Sequence, residues 1–264
     1  MSSLLKLKEK TNILSQYVKH SASYEMDYPL TYPTEINFQM TGNCNIRCAM
    51  CQIPQNADNN NLLSVAEMKR VLNEARGWDD SVRYVSFVGG EALLRKNETL
   101  TMIRFAKELG FHTSLVSNGT LISENVADQL CEAGLDRIAI SIDGGKKESH
   151  DFIRGNGIFD RAIDGLDRLI LRRDDGIRLK VDISSTIMAY NFREMELIHK
   201  LAIDHKVNEL FFQSVVPDNT FVFDDPAVYN TPLWIQPGEI QELMEIIERI
   251  IELKRRFRII NNST

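Results

Sequence analysis

The chain has 264 residues, long enough for one substantial core, and its 43% hydrophobic and 26% charged content is that of an ordinary globular domain. A formal net charge of -6 disfavours a nucleic-acid partner, because phosphate binding normally shows as a basic face. No apolar run approaches a membrane span, no apolar signal-peptide core opens the chain, and four cysteines, three of them crowded together, do not form a disulfide framework.

In chain order, residues 1–33 read as a polar leader, with Leu4, Leu5, Ile13, Leu14 and Val18 marking one face of a helix packed outside a main domain at 34–264. Glu35 to Met40 reads as a first strand, and Cys44-Asn-Ile-Arg-Cys48-Ala-Met-Cys51 follows it directly. Ser64 to Arg76 is a helix with Ser64 as N-cap and Glu67 completing a capping box. Arg83 to Val88 is a second strand ending at Gly89-Gly90-Glu91, and Asn97 to Leu109 a helix closed by Gly110. His112 to Val116 is a third strand, before Ser117-Asn118-Gly119. Ser123 to Ala133 is a helix, and Asp136 to Ile142 a fourth strand running into Asp143-Gly144-Gly145. Ile158 to Arg173 is helical, Leu179 to Ser185 a fifth strand, Asn191 to His205 a helix, Glu209 to Gln213 a sixth strand, and Gln236 to Arg258 a final helix. The long stretch 217–237, with Asp224, Asp225, Tyr229 and Trp234, reads equally as a lid or as a surface connection.

Six strand–helix units predict an α/β fold: an all-parallel sheet with helices outside, a partial (β/α)6 barrel (an incomplete TIM-like barrel) with an N-terminal helical leader. Six strands do not reach the eight of a closed barrel, so a lateral mouth should remain. Ligands gather at the C-terminal ends of such strands. Those ends carry the cysteine loop, Gly-Gly-Glu, Ser-Asn-Gly and Ser-x-Asp-Gly-Gly, so all four unusual segments fall on one rim.

Cys44, Cys48 and Cys51 are spaced C-x3-C-x2-C, so three soft thiolates can converge from one loop. Thiolates select soft metals and iron–sulfur clusters. A closed structural site takes four protein ligands, so three imply a centre with one position open for chemistry. Such thiolates need a reducing compartment, which points to the cytoplasm. The spacing alone also fits a non-catalytic scaffold binding zinc or an Fe–S centre.

With Gly89-Gly90-Glu91 after the second strand, the stretch from Thr34 to Val216 resembles the radical S-adenosylmethionine (SAM) superfamily. It is similar to the branch that often carries a C-terminal auxiliary-cluster extension (SPASM/twitch). The resemblance implies a [4Fe-4S] cluster on Cys44, Cys48 and Cys51, with SAM chelating the fourth iron. Reductive cleavage of SAM would then yield a 5′-deoxyadenosyl radical that abstracts hydrogen from a peptide or small-metabolite substrate, the electron coming from a flavodoxin or ferredoxin. Gly89, Gly90 and Glu91 match the element that meets the SAM ammonium, with Ala92 where the family usually has proline. Met50 stands where an aromatic often faces the adenine, and its thioether can make a similar contact. Asn118 reads as a ligand to ribose or the methionyl group, or as a turn-forming Asn-Gly. Ser141 and Arg154 resemble a pair that holds the SAM carboxylate, which suits the bidentate fork of arginine. Asp143 either faces substrate or caps the Gly144-Gly145 turn. Cys131 reads as a small hydrophobe on a helix, and His150 as a surface residue. The chain reaches Thr264 without further cysteines, so it is either a compact member or one cut before the auxiliary-cluster extension.

Overall fold

The computed structural model describes residues 15, 18–19, 21–28, 30–54, 57, 61–78, 83–216 and 233–261. Six parallel strands form one sheet in sequence order: β1 (Glu35–Gln39), β2 (Tyr84–Val88), β3 (His112–Ser117), β4 (Arg137–Ser141), β5 (Lys180–Ile187) and β6 (Leu210–Ser214). The crossovers are α1 (Val65–Ala75), α2 (Lys96–Glu108), α3 (Glu124–Glu132), α4 (Lys147–Arg154) with α5 (Ile158–Asp174), and α6 (Met195–Asp204); α7 (Ile240–Phe257) follows β6. Local chemistry sets the helix starts. Ser64 and Glu67 close a reciprocal capping box on α1, and the Ser123 hydroxyl accepts from Val126 N–H at the start of α3.

The register aligns Phe38, Phe87, Leu115, Ile138 and Val181 in one row across five strands. These side chains bury the helix-facing side of the sheet against residues such as Leu72, Met102, Leu130 and Leu166. Each such burial contributes about 1.5–3 kcal/mol. The strands alternate, because helices cover only one face. The other face is polar: the Ser86 hydroxyl bonds Glu35 and Ser114, and Arg137 pairs with Asp182 and Glu209. A closed barrel would fill this face with aliphatic layers. Here β1 and β6 do not pair, so the inner face lines an open trough, as the strand count predicts. The chain returns after α7 to β6, where Leu210 donates to the Ile259 carbonyl and accepts from Asn261 N–H.

Two expectations are amended. The sixth and final helices each begin with a 3-10 turn, Phe192–Glu194 and Pro237–Glu239. The eight-residue α4 has no counterpart in the sequence reading, and it carries Arg154. Of the leader's apolar face, Leu4, Leu5, Ile13 and Leu14 lie outside the described residues, while Val18 is exposed. Most of the 217–237 stretch, including Asp224, Asp225 and Tyr229, also lies outside them.

Candidate active site

The cysteine loop is stitched to the end of β2 on one side and to α4 on the other. On the incoming side Gly90 N–H donates to the Thr41 carbonyl at 2.8 Å and Glu91 N–H to the Asn43 carbonyl at 2.9 Å. On the outgoing side Ala49 N–H donates to the Ile153 carbonyl at 2.7 Å, and Cys51 N–H to the Cys48 carbonyl at 3.1 Å. The Arg47 guanidinium donates to the carbonyls of Cys44 and Ile46, which closes the turn from the solvent side.

These contacts give the Gly89-Gly90 pair a steric reason. A Cβ on Gly89 would stand 2.4 Å from the Thr41 oxygen, and one on Gly90 2.1 Å from the Asn43 oxygen. Gly89 also has φ +145°, which side chains rarely adopt. The pair lets the end of β2 lie directly against the turn that launches the cysteines.

Glu91 is 1% exposed. Its carboxylate accepts from Leu93 N–H at 3.1 Å, the Ser117 hydroxyl at 3.0 Å and Asn118 N–H at 2.9 Å. Burial raises its pKa and these three donors oppose the rise. A carboxylate has about four acceptor positions, so one remains for a further donor. Glu91 thus ties the ends of β2 and β3 together, and it stands behind the cavity wall that Gly89 and Gly90 form.

Asn118 makes its turn and faces the cysteines as well. Its Oδ1 accepts from Thr120 N–H at 3.0 Å, an Asx turn. Its Nδ2 donates to Asn45 Oδ1 at 2.9 Å and stands 3.8 Å from Cys44 Sγ. Asn45 also donates to the Thr120 hydroxyl at 2.8 Å. Asn45 and Thr120 were missed in the sequence, where neither carries a motif.

Arg154 is 8% exposed and projects from the last turn of α4. Its Nε lies 2.6 Å from Asp143 Oδ2, and its Nη1 stands 4.0 Å from Cys48 Sγ. Asp143 is fully buried and does not line the cavity, so of its two sequence readings it takes neither: it neither faces substrate nor merely caps a turn. Its Oδ1 accepts from Thr186 N–H at 2.8 Å. Its carbonyl accepts from Asn191 Nδ2 at 2.7 Å. The surface assignment of His150 is corrected: it is wholly buried under the Gly144-Gly145 turn, and its Nδ1 accepts from Asp143 N–H. Burial, reinforced by the Arg154 charge, pushes its pKa down to about 4. Cys131 is half-buried against the helix core, as expected of a small hydrophobe.

One cavity of about 390 Å³ joins these segments, within the range of small-molecule sites. Cys44, Cys48, Met50 and Cys51 line it from the loop after β1, and Gly89, Gly90, Asn118 and Ser141 from the ends of β2, β3 and β4. Arg154 and Thr186 complete the same rim. A larger cleft of about 910 Å³ opens at the opposite, N-terminal ends of the strands and contains no cysteine. Burial raises the pKa of Cys44 and pushes that of Cys48 up to about 11, with Arg154 opposing the latter. Metal uptake must therefore displace thiol protons. Among the described residues, no three Cys, His, Asp or Glu side chains form a group that would hold a single metal ion.

The family model described as the Radical SAM superfamily matches residues 38–202. The chain is 32% identical over 181 residues to the Fe-coproporphyrin III synthase of Methanosarcina barkeri, covering 68% of this chain and 43% of that protein. It is 27% identical over 225 residues to the "Probable GTP 3',8-cyclase" of Saccharolobus islandicus, covering 85% and 67%. Streptococcus suis SuiB, solved bound to S-adenosylmethionine, shares the fold with a TM-score of 0.70 at 16% identity, over 97% of this chain and 55% of SuiB. The chain thus spans about half the length of SuiB and less than half of the synthase.

Proposed function

The chain belongs to the radical SAM superfamily, and from that premise we propose that it is an enzyme whose Cys44, Cys48 and Cys51 hold a [4Fe-4S] cluster beside S-adenosylmethionine for hydrogen abstraction from a peptide or small metabolite. The observation that carries this reading is the convergence of three thiols and four strand ends on one cavity. Members of the superfamily use this cluster and SAM. The residues here fit both groups: three soft donors on one loop leave one iron free, and a cavity of small-molecule size adjoins them.

A cluster held by Cys44, Cys48 and Cys51 would supply the one-electron chemistry that reductive cleavage of SAM requires. This chain's residues bind and orient. The Gly89-Gly90 backbone would take the SAM ammonium at the cavity wall, and the Glu91 carboxylate behind that wall would favour its positive charge. Arg154, already fixed through Nε, would present its other N–H groups to the carboxylate. Asn118 would reach the ribose or methionyl group, Ser141 would assist at the carboxylate, and Met50 would pack against the adenine. Ile53, Val116, Val215 and Val216 give the cavity an apolar side that excludes water from the radical.

The lining also bears on the substrate. Arg154 is its one permanent cation among the described residues, and Asp143 already pairs with it. Polyphosphates draw several arginines or lysines. The lining therefore favours a peptide or an uncharged metabolite over a nucleoside triphosphate. No helix among the described residues is long and apolar enough to cross a membrane. A reducing compartment, the cytoplasm, and a flavodoxin or ferredoxin as electron donor complete the proposal. The test is anaerobic incubation of the iron-loaded chain with SAM and dithionite. Release of 5′-deoxyadenosine supports the reading, and its absence from a protein carrying a full cluster refutes it.

A further inference from the structure

We infer that Asp143 is a positioning residue that acts through Arg154, and that Arg154 serves two partners at once, the Cys48 sulfur and the carboxylate of SAM. The inference rests on the proposed cluster site and adds to it an electrostatic control of that cluster. Its basis is the geometry of one side chain. A guanidinium is a planar fork, so fixing one nitrogen fixes the directions of the others. Asp143 fixes Nε at 2.6 Å. Nη1 then stands 4.0 Å from Cys48 Sγ while the side chain still lines the cavity.

Asp143 is well suited to hold that fork still. Its second oxygen is taken by Thr186 N–H, its carbonyl by the buried Asn191 amide, and its own N–H donates to the buried His150. Neighbouring Gly144 and Gly145 have no room for a Cβ, which would meet His150 N at 2.5 Å and Leu197 Cβ at 2.3 Å. The carboxylate cannot swing without losing Thr186 N–H on β5 and Arg154 on α4, and the bonds of its backbone to Asn191 and His150 hold the residue itself in place. A rigid anion therefore holds a nearly buried cation beside the cysteine sulfurs, with Cys48 in contact. Cys44, by contrast, meets the neutral Asn118 amide at 3.8 Å.

Reduction adds one electron, and so one negative charge, to the cluster and its thiolates, the electron coming from a one-electron donor. A fixed positive charge beside Cys48 stabilises the reduced state and raises the potential, as hydrogen bonds and charge around cluster sulfurs generally do. The same cation binds the SAM carboxylate, so loss of its aim weakens SAM.

The experiment uses the anaerobically reconstituted chain with Arg154→Gln, Arg154→Lys, Asp143→Asn and the Asp143→Asn/Arg154→Gln double variant. Iron content is measured first, then cluster potential by EPR-monitored titration and SAM affinity by calorimetry. Arg154→Gln should lower the potential, and Arg154→Lys, which keeps the charge, should recover part of the loss. Asp143→Asn should weaken SAM roughly 10-fold or more in the parent. It should have no further effect on SAM in the Arg154→Gln background. A protein that takes up no cluster overturns the functional reading and this inference with it. A full cluster whose potential is unmoved by Arg154→Gln overturns the inference alone. So does an Asp143→Asn effect of equal size in both backgrounds, which would mark a purely structural role. If Asp143→Asn does not fold, the Gln and Lys variants at position 154 still decide the electrostatic half.

Discussion

Glu91 Oε2 accepts the backbone N–H of Asn118 at 2.9 Å, which joins the C-terminal ends of β2 and β3 directly beneath the cysteine loop. The motif carboxylate is thus part of the scaffold of the site as well as a candidate ligand. Removing its charge should disturb stability before any cofactor is present.

Glu91→Gln leaves only one acceptor oxygen, and at least one of the two backbone donors, Leu93 or Asn118, loses its partner. A buried donor without a partner costs about 1–3 kcal/mol. The metal-free variant should unfold at a lower urea concentration than the parent. An unchanged midpoint would show that the carboxylate has no structural role.

Gly90→Ala places a methyl 2.1 Å from the Asn43 carbonyl, a backbone atom of the turn that leads into the cysteines. The turn must move, so the variant should hold less iron after reconstitution and melt earlier. Gly238→Ala, whose Cβ meets nothing within 4 Å, is the control and should change stability by no more than about 0.5 kcal/mol. Full iron loading in Gly90→Ala would contradict the steric account.

Asp182 gives the protein a pH-dependent weakness in its trough. Burial pushes its carboxyl up to about 7, with Arg137 opposing. A carboxyl raised in the folded state favours the protonated native form. Its contribution is therefore complete below the ordinary aspartate range and is lost as pH rises through about 7. Asp182→Asn should match the parent's melting temperature only near pH 3.5 and exceed it by a margin that grows up to about pH 7 and holds at pH 8. A difference that stays flat between those pH values would show that Asp182 titrates normally.

Much of this was legible in the residues because the informative segments follow strong local signals. Cys44, Cys48 and Cys51 follow closely on an alternating strand, and Ser64 with Glu67 announces a helix start. The parallel order followed from alternating strands and helices. Helix α4 was not legible: Lys147–Arg154 offers only Phe152 and Ile153 as apolar residues, and Phe152 is 62% exposed. Without that helix, neither the burial of His150 nor the Asp143–Arg154 pair could be read. Those depend on β4, α4 and β5 meeting in space, which no local periodicity encodes. The double duty of Glu91 was hidden for the same reason, since its partners lie on the neighbouring strand.

The central claim is that Cys44, Cys48 and Cys51 together hold one [4Fe-4S] cluster, and iron content after anaerobic reconstitution tests it most directly. The parent should be brown with about four irons per chain. Alanine at any of the three positions should lose most of that iron and all SAM cleavage, whereas Cys131→Ala should keep both. A full cluster retained in Cys48→Ala, or a colourless parent carrying a single zinc, would contradict the account.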